Sequence, residues 1–412
     1  MALLNITLNQ EEILALLSKD HDQAFRNLLQ SCLNQVLLAE SAEQLKALPY
    51  ERSEERTDSR NGLRERTLNT RIGSIVLKVP RHRNLPFKTM IFDNYCRSEA
   101  ALIASMAEMV VNGISTRKVK KVVETLCGTR FSKSAVSDLC KDLSKEVEAF
   151  RSRPLTGPYP FLTIDATYFK VRENSRTVSK AFMIAYGTNS LGKREILGFN
   201  VYPRENLLYW TDFLRSLQKR GLWGTLMCTS DAHEGIRKAL EKVFPEVPWQ
   251  RCQFHFAKDI SALAPQEYQF GIRSELNEMF NAETLEKAEK KRDEILDSYE
   301  DVAAEAMKCL DEGFADAMTV MALPKGLRRY YRTSNQLERL NKELKRRSKV
   351  IGVFPNEASL LRLMGSVLIE LNEKQQTGRA VFSPMSYENL MKSTALAELR
   401  KIAEDQKNLL AA

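Results

Sequence analysis

The sequence predicts a mixed α/β core, broken by an all-helical insertion and preceded by a helical, basic N-terminal region. Three observations predict it. FLTIDATYFKV, KAFMIAYGTN and EILGFNVYP follow one another as strand-like runs, and two helix–strand repeats come next, which is an α/β layer pattern. Residues 259–325 are almost purely helical in pattern, with charged stretches such as TLEKAEKKRDEILDSYE. Residues 10–48 and 98–148 carry helical spacing, and an arginine-rich stretch lies between them.

Taken in order, residues 10–48 read as helix because Ile13, Leu17, Phe25, Leu28, Cys32 and Val36 recur near a 3.6 period, with Asn9 and Glu12 as a capping box. Residues 49–71 read as loop or extended arm. Residues 72–79 alternate like a strand, closed by Pro80 and Pro86. Within 98–148, ISTRKVKKVVETLCGTRFSKSAVSDLCKDL has a helix–turn–helix pattern. Ser115 or Thr116 caps its first helix, Gly128 marks the turn, and Ser132 or Ser134 caps the second. The second helix would offer Lys133, Ser134, Ser137 and Lys141 to a major groove; an ordinary helical hairpin is the alternative.

PLTGPYP (154–160) is a linker into the strands. Residues 205–219 read as helix, TLMCTSD as a fourth strand, 234–243 as helix and WQRCQFHF as a fifth strand. This is also the element order of an RNase H-like domain. A basic helix over 335–347 and the amphipathic FPNEASLLRLMGSVLIELNEK, with Leu360, Met364, Val367, Leu368 and Leu371 on one face, complete the chain. The expected divisions are 1–48 helical, 49–153 DNA-binding, 154–258 first part of the core, 259–325 insertion and 326–412 the core's C-terminal helices.

At 412 residues the chain is too long for one ordinary core. Its 43% hydrophobic and 28% charged residues give a soluble globular balance. No apolar run approaches the roughly 18 residues a membrane span needs, and MALLNITLNQEE lacks the flank of a signal peptide, so a cytoplasmic protein is expected. Seven scattered cysteines without a CxxC pair argue against disulfides and zinc ribbons. The net charge of +9 suggests a polyanionic partner. Its distribution says more: residues 328–349 hold nine Lys/Arg against Glu338 and Glu343 alone, and residues 49–90 hold ten against five acids.

Three acids stand out. Asp165 lies inside a strand-like run, where a carboxylate without a partner is costly and a metal ion is a natural one. Asp231 ends an apolar strand, where α/β ligand sites lie, although with Glu234 it equally fits a capping box. Glu338 and Glu343 share one helix but point about 140° apart, so they do not serve one site together. Glu338 shares its face with Asn341, Lys342 and Lys345, and with Asn335 it also fits a helix cap. Acids from a strand, a strand end and a helix suit two Mg²⁺ ions, with Mn²⁺ able to substitute, for in-line displacement at phosphorus. Water as nucleophile nicks a strand; a DNA 3′-hydroxyl joins one.

The segments YERSEERTDSRNGLRERTLNTRIG, ISTRKVKKVVETLCG, IDATYFKVRE, SDAHEGIRKAL, RCQFHF and TSNQLERLNKELKRRSKVIGVFPNEASLLRL make the resemblance specific. The chain resembles bacterial insertion-sequence transposases of the mutator type, related to plant mutator-like elements. The resemblance implies an RNase H-like core with an Asp, Asp, Glu triad on Asp165, Asp231 and Glu338. It also implies a helical insertion before the Glu, and binding of terminal inverted repeats by the N-terminal region. Cys252 and His255 match the family's Cys-x-x-His motif. His255 is expected to reach the active site and bond a phosphate or water, with Cys252 packed beneath; a satisfied core histidine is the alternative. Arg339 follows the triad glutamate as a supporting residue. A zinc site borrowing His233 and Cys228 has no standard spacing. No tryptophan falls in the insertion, so no base-flipping wedge is expected there. The DNA-contacting candidates are Arg64, Arg66, Arg71, Arg117, Lys118, Lys120, Lys121, Lys133, Lys345, Arg346 and Arg347. The expected partner is double-stranded DNA, as element ends and target, bound by a homodimer or larger assembly without a membrane. The rival readings are a catalytically silent DNA-binding regulator and a two-metal nuclease that does not join.

Overall fold

The computed structural model describes residues 21–51, 54–70, 73–89, 91, 133–349 and 351–411. The Asn9–Glu12 cap, the first helix and turn of the helix–turn–helix pattern, Arg71, Arg117, Lys118, Lys120 and Lys121 lie outside these residues. Lys133 opens a described helix, without its side chain. The chain forms two compact units, divided between Lys141 and Asp142.

In the first unit, helix α1 (His21–Leu45) packs on a hairpin of β1 (Arg60–Thr70) and β2 (Gly73–His82). Alternation in β2 buries Ile75, Leu77 and Val79 with Leu68 of β1 and Leu37 of α1. The loop or arm expected at 49–71 is thus corrected over residues 60–70. The strand was hidden because one face of it is solvated and holds the charges, so only Leu68 and Thr70 are buried. Pro80 lies within β2 rather than closing it. It sits opposite Leu63, beside a break in the register, where a missing N–H is tolerated. Some of the arginines are structural: the Arg60 guanidinium donates to the carbonyls of Leu48 and Ala47, and Arg56 Nε to that of Asp58. The Asp58 carboxylate accepts from the N–H groups of Leu85, Asn84 and Ser59, which hold its pKa down at about 2.

After α2 (Lys133–Ser152) and the Pro-rich linker, the second unit builds a mixed sheet from β3 (Phe161–Glu173), β4 (Arg176–Thr188), β5 (Arg194–Tyr202), β6 (Met227–Ser230) and β7 (Trp249–Arg251). The order is β5-β4-β3-β6-β7, with β3, β4 and β5 antiparallel and β3, β6 and β7 parallel. Period-2 alternation sends Leu162 and Ile164 to one face. There α3 (Leu207–Lys219) and α4 (Glu234–Val243) contribute Trp210, Phe213, Leu217, Ile236 and Leu240 to a shared core. Phe161, Thr163 and Asp165 therefore take the opposite face. Asn206 caps α3, accepting from Tyr209 N–H at 2.9 Å.

The fifth strand is shorter than expected. It ends at Arg251, and Gln253–Leu263 is helix α5, so Cys252 is its N-cap and His255 lies in its first turn. The aromatic run QFHF imitates a strand, but Phe256 and Ile260 are buried at i and i+4. Helices α6 (Gln269–Phe280), α7 (Leu285–Tyr299) and α8 (Ala304–Met318) then close an apolar core around Ile272, Leu276, Ile295 and Leu310. The chain returns through a 3₁₀ turn (Thr319–Ala322) and α9 (Lys325–Tyr331) to α10 (Asn335–Ser348) and α11 (Glu357–Thr377). Of these, α10 contacts β3, and α11 contacts β3 and β5. Two further helices follow, α12 (Pro384–Lys392) and α13 (Ala395–Ala411). Gln406 of α13 lies against the outer strand: its Oε1 accepts from Trp249 N–H, and its Nε2 donates to Trp249 C=O, both at 2.8 Å. Among the described residues no helix is long and apolar enough to cross a membrane.

Candidate active site

The register of the two central parallel strands decides what can meet. Thr163 of β3 is the partner of Thr229 of β6, the last pair before β6 ends at Ser230. Asp165 and Asp231 each lie two residues further on, Asp165 still within β3 and Asp231 just past the end of β6, near enough for the charge of Asp231 to act on Asp165. Beyond that point the edge of β3 is not covered by β6. Helix α10 approaches there, and Phe354 after it bonds to the far end of β3, donating to Lys170 C=O and accepting from Arg172 N–H, both at 2.8 Å.

Helix α10 brings two side chains from one face. Asn341 donates its amide to Asp165 Oδ2 at 2.6 Å. Glu338, one turn earlier, places Oε1 3.6 Å from His255 Nε2. The other ring nitrogen, Nδ1, is 2.6 Å from Asp231 Oδ1, without hydrogen-bond alignment, so this is a charge contact. His255 thus stands between Asp231 and Glu338, with α5 as its platform. Beneath it, the buried Cys252 sulfur accepts from Ser334 N–H and Oγ, each at 3.3 Å, and Ser334 Oγ is also 3.3 Å from Asp231 Oδ1.

The electrostatics follow from this crowding. Burial, and after it the charge of Asp231, pushes the Asp165 carboxyl up to about 7. The Asp231 carboxylate, followed by the Cys252 sulfur, pushes the His255 imidazole up to about 10, so the ring is cationic at neutral pH. Glu338 Oε1 and Asn341 Oδ1 are buried without a hydrogen-bond partner. Two neighbouring acids, one of them hard to ionise, and an orphaned carboxylate oxygen are the marks of a site suited to a further cation. Among the described residues, Asp231, Cys252 and His255 also hold ligand atoms within 4.8 Å of one another. His233, the N-cap of α4, is not among them.

Neither competing cap is formed. The N-cap of α4 is His233 without a side-chain cap bond, and Glu234 instead pairs with Lys238. The N-cap of α10 is Ser334, with Asn335 inside the helix. Glu343, the other acid of α10, is held by Arg346 at 2.6 Å and Arg347 at 2.8 Å, which keep its carboxyl near 2. Arg347 is itself buried between Glu343 and Glu370. Lys345 and Arg346 are exposed, as is Arg64 on β1, and Arg66 is half-buried. Arg339 is exposed and lines a cavity with Tyr186 and Arg194. Ser334 was missed by sequence reasoning; a small polar residue before a helix gives no sign of the cysteine it will bind.

The acids thus gather from within β3, from just past β6 and from the basic helix α10. In comparison with known proteins, the family described as Transposase, Mutator family, matches residues 1–378. The chain is 39% identical over 378 residues to the transposase for insertion sequence element IS256 in transposon Tn4001 of Staphylococcus aureus, covering 91% of this chain and 97% of that one. It is 38% identical over 348 residues to the transposase for element ISRM5 of Rhizobium meliloti, covering 84% and 87%. It is 37% identical over 375 residues to the transposase for element IS1081 of Mycobacterium tuberculosis, covering 90% of each chain. The chain belongs to the Mutator family of transposases.

Proposed function

We propose that this transposase binds the terminal inverted repeats of an insertion sequence and cuts and rejoins DNA strands, using Asp165, Asp231 and Glu338 as the ligands of divalent metal. The observation that carries this reading is the gathering of three acids at one place: Asp165 in β3 feels the charge of Asp231 just past β6, and His255 bridges Asp231 to Glu338 of the helix beside them. The order β5-β4-β3-β6-β7 supports an RNase H-like core, with α6–α8 as its insertion. Two Mg²⁺ ions, when bound, would activate the attacking oxygen and stabilise the leaving one.

The remaining chemistry is that of the chain. Asn341 fixes Asp165 through one oxygen, and the Ala166 N–H, 2.8 Å from Oδ1, holds the other. Cationic His255 holds Asp231 and faces Glu338, so it orients two acids and adds positive charge where phosphate arrives. Lys342 and Lys345, exposed on α10, would steer DNA by its phosphates. The helix–turn–helix pattern and the arginines of the first unit are the proposed readers of the element ends.

The test is incubation of the full chain with element-end DNA and Mg²⁺, mapping nicks and joined strands. Metal-dependent nicking at the element boundary and joined products are expected. Tight end binding with neither product would refute the enzymatic reading and leave a DNA-binding regulator; nicks without joined strands would leave a nuclease.

A further inference from the structure

We propose that the cavity on the flank of α10 turned away from Glu338 is a docking site for the phosphate backbone of DNA, gripped by Arg194, Arg339 and Arg379. The identity of the polymer rests on the transposase reading; the anion site rests on the geometry. The cavity has a volume of about 340 Å³ and is walled by the ends of β4 and β5, one face of α10 and the end of α11. Gln336, Arg339, Leu340 and Glu343 line it from α10 at helical spacing. At about 100° per residue their common direction is about 150° around the helix from Glu338.

The charges of this cavity are unequally balanced. Its acid, Glu343, is consumed by Arg346 and Arg347, and Lys374 is paired with Glu370 at 2.5 Å. Among the described residues no carboxylate lies within ion-pair distance of Arg194, Arg339 or Arg379, all of which line the space. Arg194 Nε is moreover buried without a hydrogen-bond partner. Three guanidinium groups lining one cavity without acids repel one another, and an orphaned buried N–H is costly. A phosphate relieves both, because its oxygens accept the paired N–H donors of a guanidinium fork. Tyr186 and Gln375 lie on the same wall, the Tyr186 hydroxyl donating to the Gln375 carboxamide oxygen.

The position favours a polymer over a small anion. Arg339 and Arg379 are exposed, so the grip is open to a strand running along the surface. A helix with its side chains is about 10–12 Å across, so the cavity and Glu338 occupy opposite flanks of one rod. At roughly 3.4 Å per nucleotide that separation corresponds to about three nucleotides. A strand whose reacting phosphate lies at Glu338 can thus be held a few nucleotides away by these arginines.

The experiment uses the full chain and a fluorescent 30-base-pair duplex of random sequence in EDTA, with affinity measured against salt. Arg339→Gln with Arg379→Gln removes two exposed charges; Lys287→Gln with Lys290→Gln removes two exposed charges from α7 as the control. The arginine pair should make the log–log salt slope shallower by about 2, at roughly 0.9 per phosphate contact, while the control leaves it unchanged. Arg194→Lys, which keeps the charge and loses the fork, should weaken binding with the slope retained. An unchanged slope, or an equal change in the control, overturns the proposal. So does a melting shift by inorganic phosphate that the arginine pair abolishes without altering duplex binding, since that marks a small-anion site. Nicking of element ends by the wild-type chain separates the two ideas. Nicking with an unchanged slope sinks the cavity alone; a changed slope without nicking sinks the enzymatic reading alone.

Discussion

Asp165→Asn should abolish strand cleavage and at the same time stabilise the metal-free protein above neutral pH. The carboxyl of Asp165 is pushed up from 3.8 to about 7 by burial and by Asp231. An acid whose folded pKa is raised has its stability contribution fully present below its unfolded pKa, and loses it as pH rises through the folded one. The wild-type chain therefore loses stability between about pH 4 and 7, and the variant, whose amide does not ionise, keeps it. Three units correspond to about 4 kcal/mol as an upper figure; with relaxation and counter-ions, roughly 2 kcal/mol is expected, or ~4–6 °C in melting temperature for a unit of this size. The amide can be accommodated: Asn341 Oδ1 has no partner, and turning that side chain over would offer it to the new NH₂. His255, held cationic in the folded chain by Asp231, loses part of its own contribution above about pH 6.5, but it does so in both proteins, so the comparison between them isolates Asp165. Melting curves of both proteins in EDTA at pH 5 and pH 8 test the sign. A variant that melts below wild type at pH 8 would refute the electrostatic argument, and one that still cleaves DNA would remove Asp165 from the site.

Four other outcomes are expected. Glu338→Gln should lose essentially all cleavage with its melting point nearly unchanged. Glu343→Gln should keep cleavage at low temperature but lose about 2–4 kcal/mol, because buried Arg347 is deprived of its nearer partner; cleavage and unfolding on both variants check this. Lys342→Ala with Lys345→Ala should weaken DNA binding about equally for element ends and random duplex, as anisotropy titrations would show, whereas a loss confined to element ends would contradict a phosphate role. Gly192→Ala should destabilise by more than 1 kcal/mol on chemical denaturation, since φ there is +72° and a Cβ would meet the Phe382 carbonyl oxygen at 2.1 Å.

The sheet was legible where chemistry and period agree. The runs at 161–173, 176–188 and 194–202 alternate or are continuously apolar, and they fold as strands. The reading failed where one face alone carries the signal. In β1 the exposed residues outnumber the inward Leu68 and Thr70, so a strand looks like an arm. At Gln253–Phe256 aromatics imitate a strand, while burial at helical spacing shows itself only in three dimensions. The acids could be picked out singly, because a carboxylate within an apolar run is conspicuous. The partnership of Asn341 with Asp165 could not be: spacing put Asn341 on Glu338's face, but the approach of α10 to the open edge of β3 is long-range geometry. Helical phase likewise separated Glu338 from Glu343, yet it could not foretell that Arg347 would be buried in ion pairs instead of facing solvent.

The grip of Gln406 on Trp249 has a consequence for how this sheet ends. A strand at the rim of a sheet normally leaves a row of amides and carbonyls open to any passing chain. Here one carboxamide, delivered by the last helix, answers both the N–H and the C=O of Trp249, the first residue of a three-residue strand. The same NH₂ also donates to Asp316 Oδ1 at 2.8 Å, so the plug is anchored to α8. The side chain acts as a terminator: together with the Thr319 hydroxyl, which also donates to Trp249 C=O at 2.9 Å, it occupies the backbone groups of Trp249 that an added strand would need. Since Gln406 lies 28 residues past the stretch matched by the family, this chain guards its rim with a piece outside that common stretch.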